Sequence, residues 1–290
     1  MAIIALITCY NPCENNICNI KKLSTFVDKL FVIDNSKDSH NFSYIKNILY
    51  IHSGENMGLS KSFNIVLKNN IFNDEDFIFF FDQDSSYEDD HIKIMVNEFC
   101  RLERNHKIGI LSCGIFNLFE KRIILSKKNK SIESQTFLSK NVITSSMLTK
   151  YKILKLINFW DEDIFLDMAD WSFSWKASKC GLKIFVTTKT CIYHTLGNGI
   201  KKRFGIRIDN CNTFREYYII RDGLRLLIKN YVPFRKRIVL FYIIFIRSIL
   251  HLLFLDKKKE RFTYMIKGGI AFIFNRHGAI NENFNSLRKL

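Results

Sequence analysis

The sequence predicts an α/β protein, a mixed sheet flanked by helices, with a C-terminal helical region that is basic, apolar and membrane-associating. Three observations predict it. Short unbroken apolar runs alternate with segments of helical period. Most of those runs end in polar residues, as strands of open α/β sheets do at the edge where ligands bind. Charge is also uneven: residues 1–200 hold 24 Lys/Arg against 22 Asp/Glu, while the last ninety hold 20 against 6. Such asymmetry suggests an anionic partner for the tail.

Ile3–Thr8 is the first apolar run, and Cys9-Tyr10-Asn11-Pro12 closes it, since Pro12 cannot continue a ladder. A helix follows around Asn15–Phe26, with Ile17, Ile20, Leu23 and Phe26 or Val27 at helical spacing. Leu30–Ile33 is a strand ending in Asp34-Asn35-Ser36, and Ile48–Ile51 is another. Gly58 can supply a tight turn in Glu55–Ser60, ahead of a helix over Leu59–Asn69.

Phe77–Asp84, FIFFFDQD, is the centre of the chain. Five consecutive apolar residues suit a strand buried on both faces. In an extended chain residues i and i+2 point the same way, so Asp82 and Asp84 converge if the strand reaches that far. A loop would aim only one of them. Paired carboxylates suit a hard divalent cation, Mg²⁺ or Mn²⁺, and a polar turn is the alternative.

Glu88–Glu103 reads as an amphipathic helix and Ile108–Cys113 as a strand, with residues 120–140 a lysine-rich hairpin or mobile loop. In Trp160–Lys176 the carboxylates Asp167 and Asp170 are flanked by apolar residues, a setting that is costly without a partner or a task. Asp170 is either the N-cap of a helix through Cys180 or a catalytic group held at that helix start. Lys183–Val186 and Cys191–His194 are final strands, with His194 at a strand end.

Thr213–Lys229 reads as a helix carrying basic residues, and Arg235–Arg237 leads into eighteen mostly apolar residues, Ile238–Leu255. Arg247 near their middle argues for a helix lying in or on a membrane face rather than spanning it. A core helix of a small subdomain is the alternative. The eight cysteines include no CxxC pair, and the N-terminus opens into a strand without a basic leader. That pattern points to reduced thiols in the cytoplasm, with the protein bound peripherally at the inner face of the cytoplasmic membrane. No nucleic-acid partner is expected, because the aromatics sit in apolar runs rather than among Lys and Arg.

These motifs in this order resemble family 2 glycosyltransferases of the GT-A (Rossmann-like) fold, and within them the rhamnosyltransferase-like branch of bacterial surface polysaccharide synthesis. The matching pieces are Thr8–Pro12, Val32–Ser36, Glu55–Leu59, Asp82–Asp84, Phe165–Trp171, His194 with Gly197, and Arg215–Tyr218 with Arg221. Gly268-Gly269 and Arg276-His277-Gly278 are also similar. The resemblance implies a glycosyltransferase domain over 1–205, its nucleotide-binding half at about 1–115 and its acceptor half at about 116–205, then a helical region over 206–290.

It further implies that Thr8, Tyr10, Asn11, Asp34, Asn56, Gly58, Asp82 and Gln83 hold a nucleotide-sugar donor, dTDP-rhamnose or a UDP-sugar. Asp84, with Asp82 and His194, would hold Mg²⁺ or Mn²⁺. Asp170 would be the general base of an inverting transfer. Asp167 and Trp171 would meet a lipid-linked saccharide acceptor, as in O-antigen or capsule synthesis. Two positions depart from the pattern: Ser172 replaces a carboxylate and Lys176 an arginine. A metal-dependent nucleotidyltransferase remains the alternative reading.

Overall fold

The computed structural model describes residues 1–117, 122–124, 130–133, 135–194, 200–203, 206–209 and 211–280, with side chains for 1–116, 135–193 and 211–280. The chain opens with β1 (Ile3–Cys9), α1 (Glu14–Ser24), β2 (Lys29–Asp34), β3 (Ile48–His52), α2 (Leu59–Asn69) and β4 (Phe77–Asp82). β1 lies between β2 and β4, parallel to both, and β3 extends the sheet beyond β2. The register sets Thr8 beside Asp82 and Cys9 beside Asp34, so three of the predicted polar strand ends meet at one edge.

β4 holds the centre because its side chains alternate between two apolar layers. Phe77 stacks edge-on to Phe99 and Phe81 meets Tyr87 on one face, while Phe80 packs against Phe63, Trp160 and Phe173 on the other. All five residues from Phe77 to Phe81 are buried. Each fully buried Phe stabilises the fold by roughly 1.5–3 kcal/mol.

The second half is mixed. β5 (Ser86–Tyr87) and α3 (His91–Glu103) precede β6 (Ile108–Asn117), β7 (Arg122–Ile124), β8 (Lys130–Glu133), β9 (Thr136–Ser139) and β10 (Met147–Lys150). Then come α4 (Tyr151–Leu156), α5 (Ala169–Lys179), β11 (Lys183–His194) and the hairpin β12 (Ile200–Arg203) and β13 (Ile206–Asp209). The sheet order is β3-β2-β1-β4-β10-β6-β11-β9-β8, with β10 antiparallel to both neighbours.

Several sequence expectations need correction. β4 stops at Asp82, so Asp84 stands in a turn and strand alternation does not bring the two carboxylates together. The 120–140 segment does hold the expected hairpin, β8 with β9, and adds β7 and the pairing of β9 on the edge of β11. The two final strands are one, β11, whose register slips between Thr187 and Cys191. β5, β10, α4 and the last helix carry no separate expectation from the sequence. β10 is only four residues long, too short to show a period.

α6 (Arg215–Ile228) leads into α7 (Phe234–Phe254), which is π-helical over Tyr242–Arg247, and then α8 (Lys258–Ile273). Both later helices lie tightly on α6. A Cβ at Gly223 would meet Ile244 at 2.8 Å, and one at Gly268 would meet the Tyr217 carbonyl at 2.5 Å. The sheet core runs on through Leu226, Val232, Leu240 and Ile244, so these helices are packed onto the α/β body.

Candidate active site

The C-terminal edge of β1, β2 and β4 forms the floor of the site. Tyr10 and Asn11 follow β1, with Asn11 at φ 47° and its N–H donating to Ser36 Oγ at 2.7 Å. The Tyr10 ring is exposed. Gln83 clamps the two strand ends: its Oε1 accepts from Tyr10 N–H at 2.8 Å and its Nε2 donates to Tyr10 O at 3.2 Å. Its side-chain amide therefore shapes the rim and keeps a second N–H and a second oxygen lone pair beyond these two bonds.

Asp34 is fully buried and its carboxylate is engaged by the protein itself. Ser36 N–H reaches Oδ1 at 2.9 Å, while His40 Nδ1 and the Tyr50 hydroxyl reach Oδ2 at 2.8 Å each. Burial raises the pKa of such a group, but the bonds from Ser36, His40 and Tyr50 outweigh it and hold Asp34 below the usual range. Asp34 thus orders the loops beside Tyr10 and Asn11.

Gly58 has φ 78° and caps α2, and Asn56 Oδ1 accepts its N–H at 3.0 Å. Leu59 N–H donates to Phe165 O at 2.8 Å, which docks this loop against the segment that leads to Asp167 and Asp170. A cleft of about 620 Å³ lies beside that junction, lined in part by Asn56, Met57, Lys61, Phe165 and His277.

Three carboxylates crowd the centre. Burial pushes Asp82 up to about 7, and the negative charges of Asp84 and Asp170 add to the shift. Burial likewise pushes Asp170 up to about 7, with Asp167 adding and the Trp171 N–H and Arg215 opposing. Trp171 N–H donates to Asp170 Oδ1 at 2.8 Å. Such a cluster of hard oxygen donors, with the Asp82 carboxyl raised by its acidic neighbours, is the environment a divalent cation suits.

Met168, not Asp170, is the N-cap of α5, with φ 67°; Asp170 is the second residue of the helix. The capping alternative for Asp170 falls for that reason. Asp167 is held by Arg215, whose Nη2 lies 2.6 Å from Oδ1 and Nε 3.3 Å from Oδ2. Trp171 is half-buried and its ring lies 6.0 Å from that of Trp175. Where the pattern departs, Ser172 pairs with the Tyr231 hydroxyl at 2.8 Å, and Lys176 donates to the carbonyls of Asn158 and Phe159.

The His194 side chain and Gly197 lie outside the described residues. The backbone of β11 is informative all the same: it pairs antiparallel with β5, Tyr193 opposite Ser86, so the strand runs toward Asp84 as it reaches His194.

One residue and one contact here escape sequence reasoning. His91 is buried, bonded to Thr190 Oγ1 at 2.7 Å and Ser146 Oγ at 2.6 Å, and burial lowers it to about 4, so it is a neutral hub under the site. Arg215 belongs to the tail in sequence but reaches Asp167 in space; only long-range contact reveals that.

The sequence profile of glycosyl transferase family 2 matches residues 9–155. The dTDP-rhamnosyl transferase RfbF of Shigella flexneri is 27% identical over 93% of this chain and 93% of its own length. Among solved structures, S. aureus TarS 1–349 superposes with a TM-score of 0.56 at 15% identity, over 95% of this chain and 82% of that one. GalNAc-T7 with UDP, GalNAc and Mn²⁺ gives 0.55 at 11% identity, over 94% of this chain and 56% of that one. The architecture is the GT-A fold.

Proposed function

The chain belongs to glycosyl transferase family 2, and from that premise we propose an inverting transfer from a nucleotide-sugar, dTDP-rhamnose or a UDP-sugar, to a hydroxyl of a lipid-linked saccharide. The observation that carries this reading is that the charges of Asp84 and of Asp170 on α5 both act on Asp82 at the end of β4, next to Gln83, which is bonded to the Tyr10 backbone. The similarity to a dTDP-rhamnosyl transferase supports the donor class, and the UDP-bound neighbour keeps UDP-sugars in view.

The chain's own residues divide the work. Tyr10 offers a face for the base, and Thr8, Asn11 and the Asn56–Gly58 turn border the ribose and diphosphate. Asp34 and Gln83 keep that rim in shape through the bonds described above. Asp84, with Asp82 and the strand end at His194, would hold Mg²⁺ or Mn²⁺; a divalent ion so bound neutralises charge on the diphosphate leaving group. The fold's likeness to an Mn²⁺-containing structure supports that role.

Asp170 takes the proton of the acceptor hydroxyl as its oxygen attacks the anomeric carbon. One displacement inverts the anomeric configuration, and no second nucleophile is needed. Asp167, turned toward Arg215, borders the acceptor with Trp171. A lipid-linked acceptor of O-antigen or capsule type agrees with the tail. Phe241, Tyr242, Phe245, Ile249 and Leu253 of α7 are exposed, beside the basic Arg235–Arg237 and Lys257–Lys259. α7 is long and apolar enough to cross a membrane, and about a fifth of it is buried. With Arg247 in its middle, we read it as lying in the inner face of the cytoplasmic membrane.

A panel of sugar nucleotides followed by nucleoside-diphosphate release tests the reading. Turnover of one donor with release of the nucleoside diphosphate is expected. Release of pyrophosphate instead would make the chain a nucleotidyltransferase.

A further inference from the structure

Adjacent residues of α6 face two different parts of the molecule. Arg215 reaches Asp167 at the active site. Glu216, fully buried, turns the other way, into the seam between α6, α7 and α8. There its Oε1 accepts from His251 Nδ1 of α7 at 2.7 Å and from Arg261 Nη1 of α8 at 2.7 Å. Arg261 also donates to the Cys211 carbonyl at 2.7 Å, just ahead of α6.

Cys211, Glu216 and His251 bring a thiol, a carboxylate and an imidazole within 4.8 Å, a donor set that could suggest zinc. Arg261 decides against it. Its Nη1 lies 2.7 Å from Glu216 Oε1 and 3.8 Å from Cys211 Sγ, so a fixed cation already fills the space between them.

The network is therefore a junction. One carboxylate oxygen is gripped by both helices that carry the exposed apolar residues, including Phe245 and Ile249 of α7 and Phe262 and Ile266 of α8. Among the described residues Glu216 Oε2 and His251 Nε2 are buried without a partner. In such a buried network each bond is strengthened by the low dielectric and an unpaired group is costly, so the remaining bonds to Glu216 Oε1 carry much of its hold. The close seating of α7 at Gly223 and of α8 at Gly268 leaves little slack to absorb such a shift elsewhere.

We propose that Glu216 is a positioning residue, through which the seating of α7 and α8 on a lipid surface sets Arg215 against Asp167 beside the base. This rests on the membrane reading of the two helices given above. Its physical basis is direct. A displacement of α7 or α8 pulls on Glu216, and α6 carries Arg215 with it as a rigid element. The Arg215–Asp167 pair is bidentate, a geometry that depends on alignment as well as distance.

Hydrogen exchange of the full chain, with phosphatidylcholine vesicles containing phosphatidylglycerol, tests this without knowledge of the donor. In the wild type, vesicles should slow amide exchange over residues 165–172 by the roughly 5- to 150-fold of a typical coupling between sites. Glu216→Gln should bind the same vesicles yet lose that slowing. If Glu216→Gln does not fold, His251→Gln releases the α7 grip alone and should also lose it. Vesicle binding with no slowing in the wild type, or with equal slowing in the variant, would overturn the coupling and leave the membrane reading intact. Failure of the wild type to bind vesicles would overturn both.

Discussion

Gly58 and Phe165 touch so closely that a Cβ on the glycine would lie 2.5 Å from the Phe165 ring and 2.6 Å from its carbonyl oxygen. The glycine is also at φ 78°, where L side chains are strained. Gly58→Ala meets both penalties: each is worth about 1–3 kcal/mol. The variant should unfold at lower denaturant concentration, by a free energy within the sum of those ranges. An unchanged midpoint would mean that the loop and the Phe165 segment separate easily.

Asp170→Asn should fold normally and keep its donor affinity, since the groups bordering the nucleotide lie on other strands. Loss of general-base assistance lowers turnover by about 10²–10⁴-fold. Turnover near the wild-type value in a folded Asp170→Asn would move the base to Asp167.

The pH profile follows from the same residue. Burial pushes Asp170 up to about 7, so without a bound cation its base form is lost as pH falls through that value. Activity limited by this group should rise with pH and level off above it. A divalent ion nearby favours the charged carboxylate, so the inflection should move to lower pH as its concentration increases. A pH-independent rate across that window would exclude Asp170.

Asp84→Asn should abolish the thermal stabilisation that Mg²⁺ or Mn²⁺ gives the wild type in the presence of a donor, with the fold unchanged by circular dichroism. Full turnover in excess chelator would end the metal role.

Asp34 makes a prediction about stability. Its pKa is depressed in the folded chain by Ser36, His40 and Tyr50. The stabilisation it provides is therefore fully present above the unfolded value of about 3.9 and is lost as pH falls through the folded one. Asp34→Ala, which strips those three partners, should remove that acid-side loss and lower stability near neutrality by about 1–3 kcal/mol for each buried donor left unpaired. Chemical denaturation at two pH values measures both.

The parallel half of the sheet was legible because its strands are short, apolar and punctuated by polar residues, and α2 begins and ends where Gly58 and the apolar spacing place it. β4 was legible for the same reason, but its end was not. Alternation says nothing about where a strand gives way to a turn, and Asp84 lies beyond that point. β10 and β5 are formed by partners distant in sequence, and no local period announces them. Asp170 could be singled out because a carboxylate among apolar residues is conspicuous. The internal engagement of Asp34 could not, since His40 and Tyr50 reach it across a loop and a strand. Arg215 was quoted as part of a motif, yet its hold on Asp167 depends on how α6 packs.

The small strand β5 has a consequence for the catalytic cycle. Asp84 sits between β4, locked in the centre of the sheet, and β5, zipped to β11 only two residues later. A stretch tethered on both sides over so few residues has no hinge and little length to swing. The backbone of Asp84 is thereby held from both sides, which suits a carboxylate whose proposed task is to hold a cation in one place.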